Sequence, residues 1–214
     1  MSQTLRITEI FFSIQGEARA IGWPTVFVRL SGCPLRCVWC DTSYAFIGGE
    51  RMSVDAVLEA VKGYPSRRVC VTGGEPLAQP ACFDLLQALI DQGYEVSLET
   101  SGAFDVAAVP KEVIKVMDLK PPGSGEMARN RFENIPCLST QDQIKMVIRD
   151  EVDYLWAKEV LETYRLQDRC EVIFSPVAET MSAKALAERI LADGLDVRFQ
   201  VQLHKVLWGD QKGV

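Results

Sequence analysis

Short apolar, β-branched stretches separated by segments of helical period constrain this chain more than any other feature. The stretches are TVFVRL (25–30), RRVCVT (67–72), YEVSLET (94–100), VIKVMDL (113–119), QIKMVI (143–148), EVIFSPV (171–177) and DVRFQVQL (196–203), all read as strands. Between several of them, residues 53–64, 82–92, 152–166 and 182–192 carry helical period. Ser53 and Ser182 stand where N-caps belong, and Gly63, Gly93 and Gly194 stand where helices end. Strands alternating with helices predict an α/β fold with a mostly parallel sheet and right-handed crossovers.

In such sheets functional residues gather in the loops after the carboxyl ends of strands. Three loops fit: Gly32 with the cysteines that follow it, Thr72-Gly73-Gly74-Glu75-Pro76, and Thr100-Ser101-Gly102. A fourth strand ends at Asp118-Leu119-Lys120 and runs into PPGSGEMARNRFENIPCLSTQD, about 20 residues without clear period, which is long for a connection and marks a functional or mobile segment. With no repeat, low-complexity tract or linker, residues 1–214 are expected to form one domain. No window approaches the roughly 18 apolar residues of a membrane helix, and the opening residues are too polar for a secretory leader. The expectation is a cytoplasmic protein without a membrane partner. A net charge of −6 argues against attraction to nucleic acid as its way of working.

The seven cysteines are an odd set, and a reducing compartment argues against a disulfide framework. Cys70, Cys82, Cys137 and Cys170 are scattered and read as small buried hydrophobes. Cys33, Cys37 and Cys40 instead lie within eight residues, so one loop offers three soft thiolates suited to zinc or to an iron–sulfur cluster. Structural zinc takes four protein ligands, yet the sole histidine, His204, is distant and no second Cys-x2-Cys pair exists. A 4Fe–4S cluster held by three cysteines leaves one iron open to bind another molecule directly.

The Cys-x3-Cys-x2-Cys spacing resembles that of the radical S-adenosylmethionine superfamily. The resemblance implies that Cys33, Cys37 and Cys40 hold a 4Fe–4S cluster whose open iron chelates S-adenosylmethionine, with the cofactors carrying the hard chemistry through a 5′-deoxyadenosyl radical. Read alone, Gly73-Gly74-Glu75-Pro76 is only a turn signal. About forty residues after the cysteines, at a strand end, it resembles the superfamily element that receives the methionine amino group, with Gly74 allowing close approach and Glu75 accepting from the ammonium. Ser101 and Lys120 match positions that in relatives touch the ribose or carboxylate of the cofactor, and Trp39, Cys40 and Asp41 would lie against it. On their own these residues read equally well as a turn serine, a solvated lysine and a core aromatic.

Glu9 to Glu17 (EIFFSIQGE), 25–30 (TVFVRL), Cys40-Asp41-Thr42, Leu98 to Gly102 (LETSG) and Gln200 to Lys205 (QVQLHK) together resemble the 7-carboxy-7-deazaguanine synthase family along the whole chain. That implies a partial, TIM-like barrel of about six parallel strands with fewer outer helices than a full barrel, acting as a homodimer. It also implies a lyase that contracts the ring of 6-carboxy-5,6,7,8-tetrahydropterin with loss of ammonia, in the biosynthesis of queuosine and related deazapurines. The electron donor would be of flavodoxin or ferredoxin type. Arg29 would bind the substrate carboxylate, Ile14, Gln15, Gly16 and Glu17 the pterin edge, and Thr72 both substrate and cofactor. Thr42 would help ligate magnesium, and His204 would reach the pterin from the last strand. Arg29 is also singled out by chemistry, since an unpaired cation inside an apolar strand is expensive. Asp41-Thr42 could otherwise cap the next turn, and a lone histidine is ordinarily a satisfied core or surface group.

Two departures from the family pattern stand out. Ala18 replaces a frequent glycine after Glu17, and Asp118-Leu119-Lys120 replaces a frequent Ser-Pro-Lys. Two rival readings remain at this level: an activase that installs a glycyl radical on a partner protein, and a non-catalytic zinc or iron–sulfur module.

Overall fold

The computed structural model describes residues 4–209 and 211–214, so Met1–Gln3 and Asp210 of the C-terminal tail lie outside it. One nine-stranded sheet runs through these residues in the order β3-β1-β2-β4-β5-β6-β7-β8-β9. The strands are β1 (Thr4–Ile14), β2 (Pro24–Leu30), β3 (Glu50–Ser53), β4 (Arg68–Gly73), β5 (Glu95–Thr100), β6 (Ile114–Asp118), β7 (Gln143–Ile148), β8 (Glu171–Pro176) and the two-residue β9 (Arg198–Phe199). From β2 through β9 every pairing is parallel, while β1 pairs antiparallel with both β2 and β3. Six full-length parallel strands are therefore present, as expected, and β1 and β3 add an antiparallel edge. The sheet does not close.

Helices α1 (Val54–Lys62), α2 (Ala81–Asp91), α3 (Glu151–Thr163) and α4 (Ala183–Asp193) fall on the four segments of helical period. Ser53 and Ser182 cap α1 and α4, their hydroxyls accepting from Ala56 N at 3.1 Å and Ala185 N at 3.4 Å. Gly194 ends α4 in the left-handed conformation.

The period of two in the strands separates the core from the site. Val26, Val28, Leu30, Val69, Val71, Val96 and Leu98 point to one core, packed by α1 and α2. Met117, Ile144, Met146, Ile148, Val172 and Phe174 point to a second, packed by α3 and α4. The alternate residues face the other side of the sheet, and these include Arg29, Thr72, Glu99, Asp118 and Lys145, which all line one cavity.

Three expectations need correction. The last predicted strand is only β9: just beyond it Gln200 N still donates to Phe174 O at 3.0 Å, while its side-chain amide accepts from the Ala18 N–H at 2.6 Å and donates to the Ala18 carbonyl at 2.9 Å. His204 consequently belongs to a short helix, α5 (Leu203–Trp208), and not to a strand. Cys70, Cys82 and Cys170 are buried as expected, whereas Cys137 is exposed at the end of a 3₁₀ turn, Phe132–Cys137.

The aperiodic stretch after Lys120 is ordered by side chains. Asn134 is fully buried and donates to the carbonyls of Gly102 at 3.0 Å and Phe104 at 2.7 Å. Its start braces the cysteine loop, with Val38 N donating to Ser124 O at 3.1 Å and Arg36 N to Glu126 Oε1 at 2.6 Å.

Candidate active site

A cavity of about 440 Å³ opens at the carboxyl ends of the parallel strands. It is lined by Ile14, Gln15, Gly16, Glu17, Arg29, Cys33, Cys37, Trp39, Cys40, Asp41, Thr42, Thr72, Gly74, Ser101, Lys120 and His204, so sixteen of the seventeen residues singled out in the sequence meet there. The exception is Glu75.

Glu75 is fully buried and does not line the cavity. Its carboxylate accepts from Leu77 N at 3.0 Å, Thr100 Oγ1 at 2.9 Å, Ser101 N at 2.7 Å and Ser101 Oγ at 2.6 Å. Four donors saturate it, and its structural effect is to fix Ser101 at the cavity wall. The glycines before it serve proximity. Gly74 N donates to Leu30 O at 3.0 Å and Glu75 N to Gly32 O at 2.8 Å, stitching this loop to the cysteine loop. A Cβ on Gly74 would lie 2.2 Å from the Gly32 carbonyl oxygen, so only glycine allows the approach.

The three thiols are half-buried on one loop, with the Arg36 guanidinium donating to the carbonyls of Cys33 at 2.7 Å and Leu35 at 2.6 Å. Burial pushes the Cys37 thiol up to about 11, with Lys120 pulling the other way. Burial likewise raises Cys33 and Cys40. Without a metal these groups are neutral thiols, and a bound metal would displace their protons. Among the described residues no three Cys, His, Asp or Glu side chains converge on one ion-sized point. Three soft thiol donors, half-buried together on one loop, fit an iron–sulfur cluster by the chemistry of the donor set.

The opposite wall is a chain of buried polar groups. Gln15 Nε2 donates to Glu99 Oε1 at 3.3 Å and Thr72 Oγ1 to Glu99 Oε2 at 3.0 Å. Arg29 Nε donates to Glu9 Oε1 at 2.7 Å, which also accepts from Tyr44 OH at 2.8 Å. The Arg29 guanidinium lies 5.7 Å from the Phe11 ring and 5.9 Å from the Tyr44 ring, and its terminal nitrogens have no protein partner among the described residues. Glu17 pairs with Lys145 and accepts from the Gln202 amide. Burial alone would raise the Glu17 carboxyl, but the Lys145 cation overrides it and holds the group at about 2. Burial also disfavours charged Lys120, but Asp118, 3.0 Å away, raises its pKa.

Helix α5 packs directly on the 15–17 segment: Leu203 N donates to Gly16 O at 2.9 Å, and a Cβ on Gly16 would meet His204 Nδ1 at 2.2 Å. His204 Nε2 stands 4.0 Å from Asp41, whose other oxygen accepts from Thr42 Oγ1 at 2.7 Å. Thr42 precedes the 3₁₀ turn Ser43–Ala45 but gives it no side-chain cap. Glu9, Tyr44, Glu99, Asp118, Lys145 and Gln202 also belong to the site and escaped the sequence reading.

An open, mostly parallel barrel with three thiols on the loop after its first parallel strand defines a radical S-adenosylmethionine enzyme, and the profile of that superfamily matches residues 27–119. Within this class the chain belongs to the 7-carboxy-7-deazaguanine synthase family. It is 42% identical over 214 residues to the 7-carboxy-7-deazaguanine synthase of Chlorobaculum tepidum, covering 98% of this chain and 97% of that one. To the Koribacter versatilis protein of the same name it is 41% identical over 226 residues, covering 98% and 100%. In fold it is similar to the crystal structure of QueE from Escherichia coli, with a TM-score of 0.77, 23% identity and coverage of 94% of this chain and 95% of that one. This kinship disfavours both the activase and the metal-module readings.

Proposed function

We propose that this chain is a 7-carboxy-7-deazaguanine synthase, a lyase that converts 6-carboxy-5,6,7,8-tetrahydropterin to 7-carboxy-7-deazaguanine with loss of ammonia. The observation that carries the reading is that one cavity joins the three-thiol loop to an arginine whose two terminal nitrogens are uncommitted among the described residues, and to a wall of ring-edge readers. Near-full-length identity to relatives of that name supports it. When bound, the 4Fe–4S cluster and S-adenosylmethionine supply one electron and a 5′-deoxyadenosyl radical.

The chain's own residues bind, orient and shield. Cys33, Cys37 and Cys40 would hold the cluster. Gly74 would let the methionine end of the cofactor approach, Ser101 and Lys120 would touch its ribose or carboxylate, Trp39, Cys40 and Asp41 would lie beside it, and Glu75 would fix Ser101 from behind. Arg29, gripped through Nε by Glu9, would present its remaining nitrogens to the substrate carboxylate as charge-assisted donors. Gln15, Glu17 and Thr72 would read the pterin edge, Ile14 and Gly16 would shape its slot, and His204 would close it from α5. Thr42, beside Asp41, would complete a magnesium site with the substrate carboxylate and waters.

The continuous nine-stranded sheet supports residues 1–214 acting as one domain. A homodimer in the cytoplasm, reduced by a flavodoxin- or ferredoxin-type donor, completes the proposal. Among the described residues no helix is long and apolar enough to cross a membrane.

The test is anaerobic, reconstituted protein given reductant, S-adenosylmethionine, magnesium and the carboxytetrahydropterin, with product read by chromatography and mass. Carboxydeazaguanine is the expected product. Its absence from protein carrying a full cluster overturns the assignment. Thr42→Ala should weaken the magnesium dependence of turnover, and an unchanged magnesium response removes Thr42 from the ion site.

A further inference from the structure

Lys145 is a cation in the middle of β7 that none of the roles above uses. Its side chain is 12% exposed and pairs with Glu17, with Asp118 Oδ2 at 3.6 Å on its other side. Glu17 is as deeply placed, and its two oxygens are divided between Lys145 and the Gln202 amide. A carboxylate held by donors from two separate elements has its direction fixed, here in the wall of the cavity that both residues line.

Resting on the function proposed above, we infer that Lys145 is the positioning residue that keeps Glu17 an ionised acceptor aimed at the N–H edge of the bound heterocycle. The titratable groups facing Glu17 are Lys145 from β7 and His204 from α5. Behind Lys145 stand Asp118 from β6 and Glu99 from β5. Without Lys145, burial, the largest influence on Glu17, favours its protonated form, opposed only by the Gln202 amide and His204. A protonated carboxyl presents a donor to a donor, and substrate binding weakens. Restoring the charge at higher pH restores the acceptor.

The experiment compares wild type with Lys145→Met, Lys145→Arg, Glu17→Gln and the Glu17→Gln/Lys145→Met double variant. In Lys145→Met, KM for the pterin is expected to rise roughly tenfold or more near pH 7 and to fall again as pH is raised, with kcat changing less. Lys145→Arg keeps the charge and should stay within about threefold of wild type with a flat pH profile. Independently of turnover, infrared spectra of the cofactor-free protein at neutral pH should show a carboxylic acid carbonyl band in Lys145→Met. That band should be missing from wild type and from the double variant. A pH-independent KM in Lys145→Met, an Arg variant as impaired as Met, or no acid band each overturns the inference. If Lys145→Met does not fold, Lys145→Gln, neutral but hydrogen-bonding, carries the same readouts. A wild type that makes no product defeats the function instead, and the infrared comparison still decides whether Lys145 governs Glu17.

Discussion

Arg29 is 15% exposed, and its planar cation is held at Nε by Glu9 and flanked by Phe11 and Tyr44. Burial disfavours the charge, but the Tyr44 and Glu9 oxygens more than offset that, so the guanidinium stays charged. A lysine cannot reproduce this, because its single nitrogen cannot both bond Glu9 and present a fork to a carboxylate. Arg29→Lys is therefore expected to raise KM for the pterin by roughly tenfold or more with a smaller change in kcat. Equal KM values for the two proteins would take Arg29 off the substrate carboxylate. At Cys37 the expectation is sharper. Two remaining thiols cannot anchor a cube at three irons, so Cys37→Ala should lose its iron and its visible absorbance together. Retention of a full iron complement would remove Cys37 from the ligand set.

At the scale of elements, the site depends on loops brought unusually close. The Gly74 loop and the cysteine loop share backbone hydrogen bonds across a gap that no Cβ fits. Gly74→Ala must push the two apart by moving backbone, since the obstructing atom is a carbonyl oxygen. Lower iron occupancy after reconstitution is expected, while far-UV circular dichroism stays that of the intact sheet. Unchanged iron loading would show that the loop yields freely. The helices and parallel strands are legible in the sequence because their period is unbroken, and the cysteine and Gly-Gly-Glu-Pro loops because spacing alone identifies them. Strand β1 is not legible: its alternation through Leu5 and Ile7 is interrupted by a register shift between Ile7 and Glu9, after which no period of two survives. The 196–203 stretch misleads for the opposite reason. Its alternation is regular, yet only Arg198 and Phe199 pair as strand, and by Leu203 the chain has turned into α5, its first N–H donating to Gly16 O at 2.9 Å. Lys145 was within reach, because the reasoning that marks Arg29, a cation inside an apolar strand, applies equally to QIKMVI. Glu99 and Gln202 have no such mark, since only the fold brings them to the cavity wall.

Across the whole molecule, the two cores lie against opposite halves of an open sheet, and the segment after β1 crosses the inner side between them. Ala18 packs there with Val116 and Ile173, and Arg19 N donates to Gln143 Oε1 at 2.6 Å. Ala18 has a φ of 63°, a left-handed conformation that costs a residue with a Cβ about 1–2 kcal/mol. Glycine would avoid that strain but would leave the space between Val116 and Ile173 unfilled. The charged tie across this crossing is Glu17 to Lys145, 128 positions apart. Its effect on stability has a definite sign. Folding lowers the Glu17 carboxyl from 4.5 to about 2, so its contribution is fully present above the unfolded value and is lost as pH falls through about 2. The contribution is on the order of 3 kcal/mol. Urea unfolding of the cofactor-free wild type and of Glu17→Gln should differ by about that much near pH 6. The gap should close progressively between about pH 5 and pH 2, the background from other carboxylates cancelling in the difference. Curves that stay parallel throughout that window would mean the pair adds nothing to holding the two halves of the sheet together.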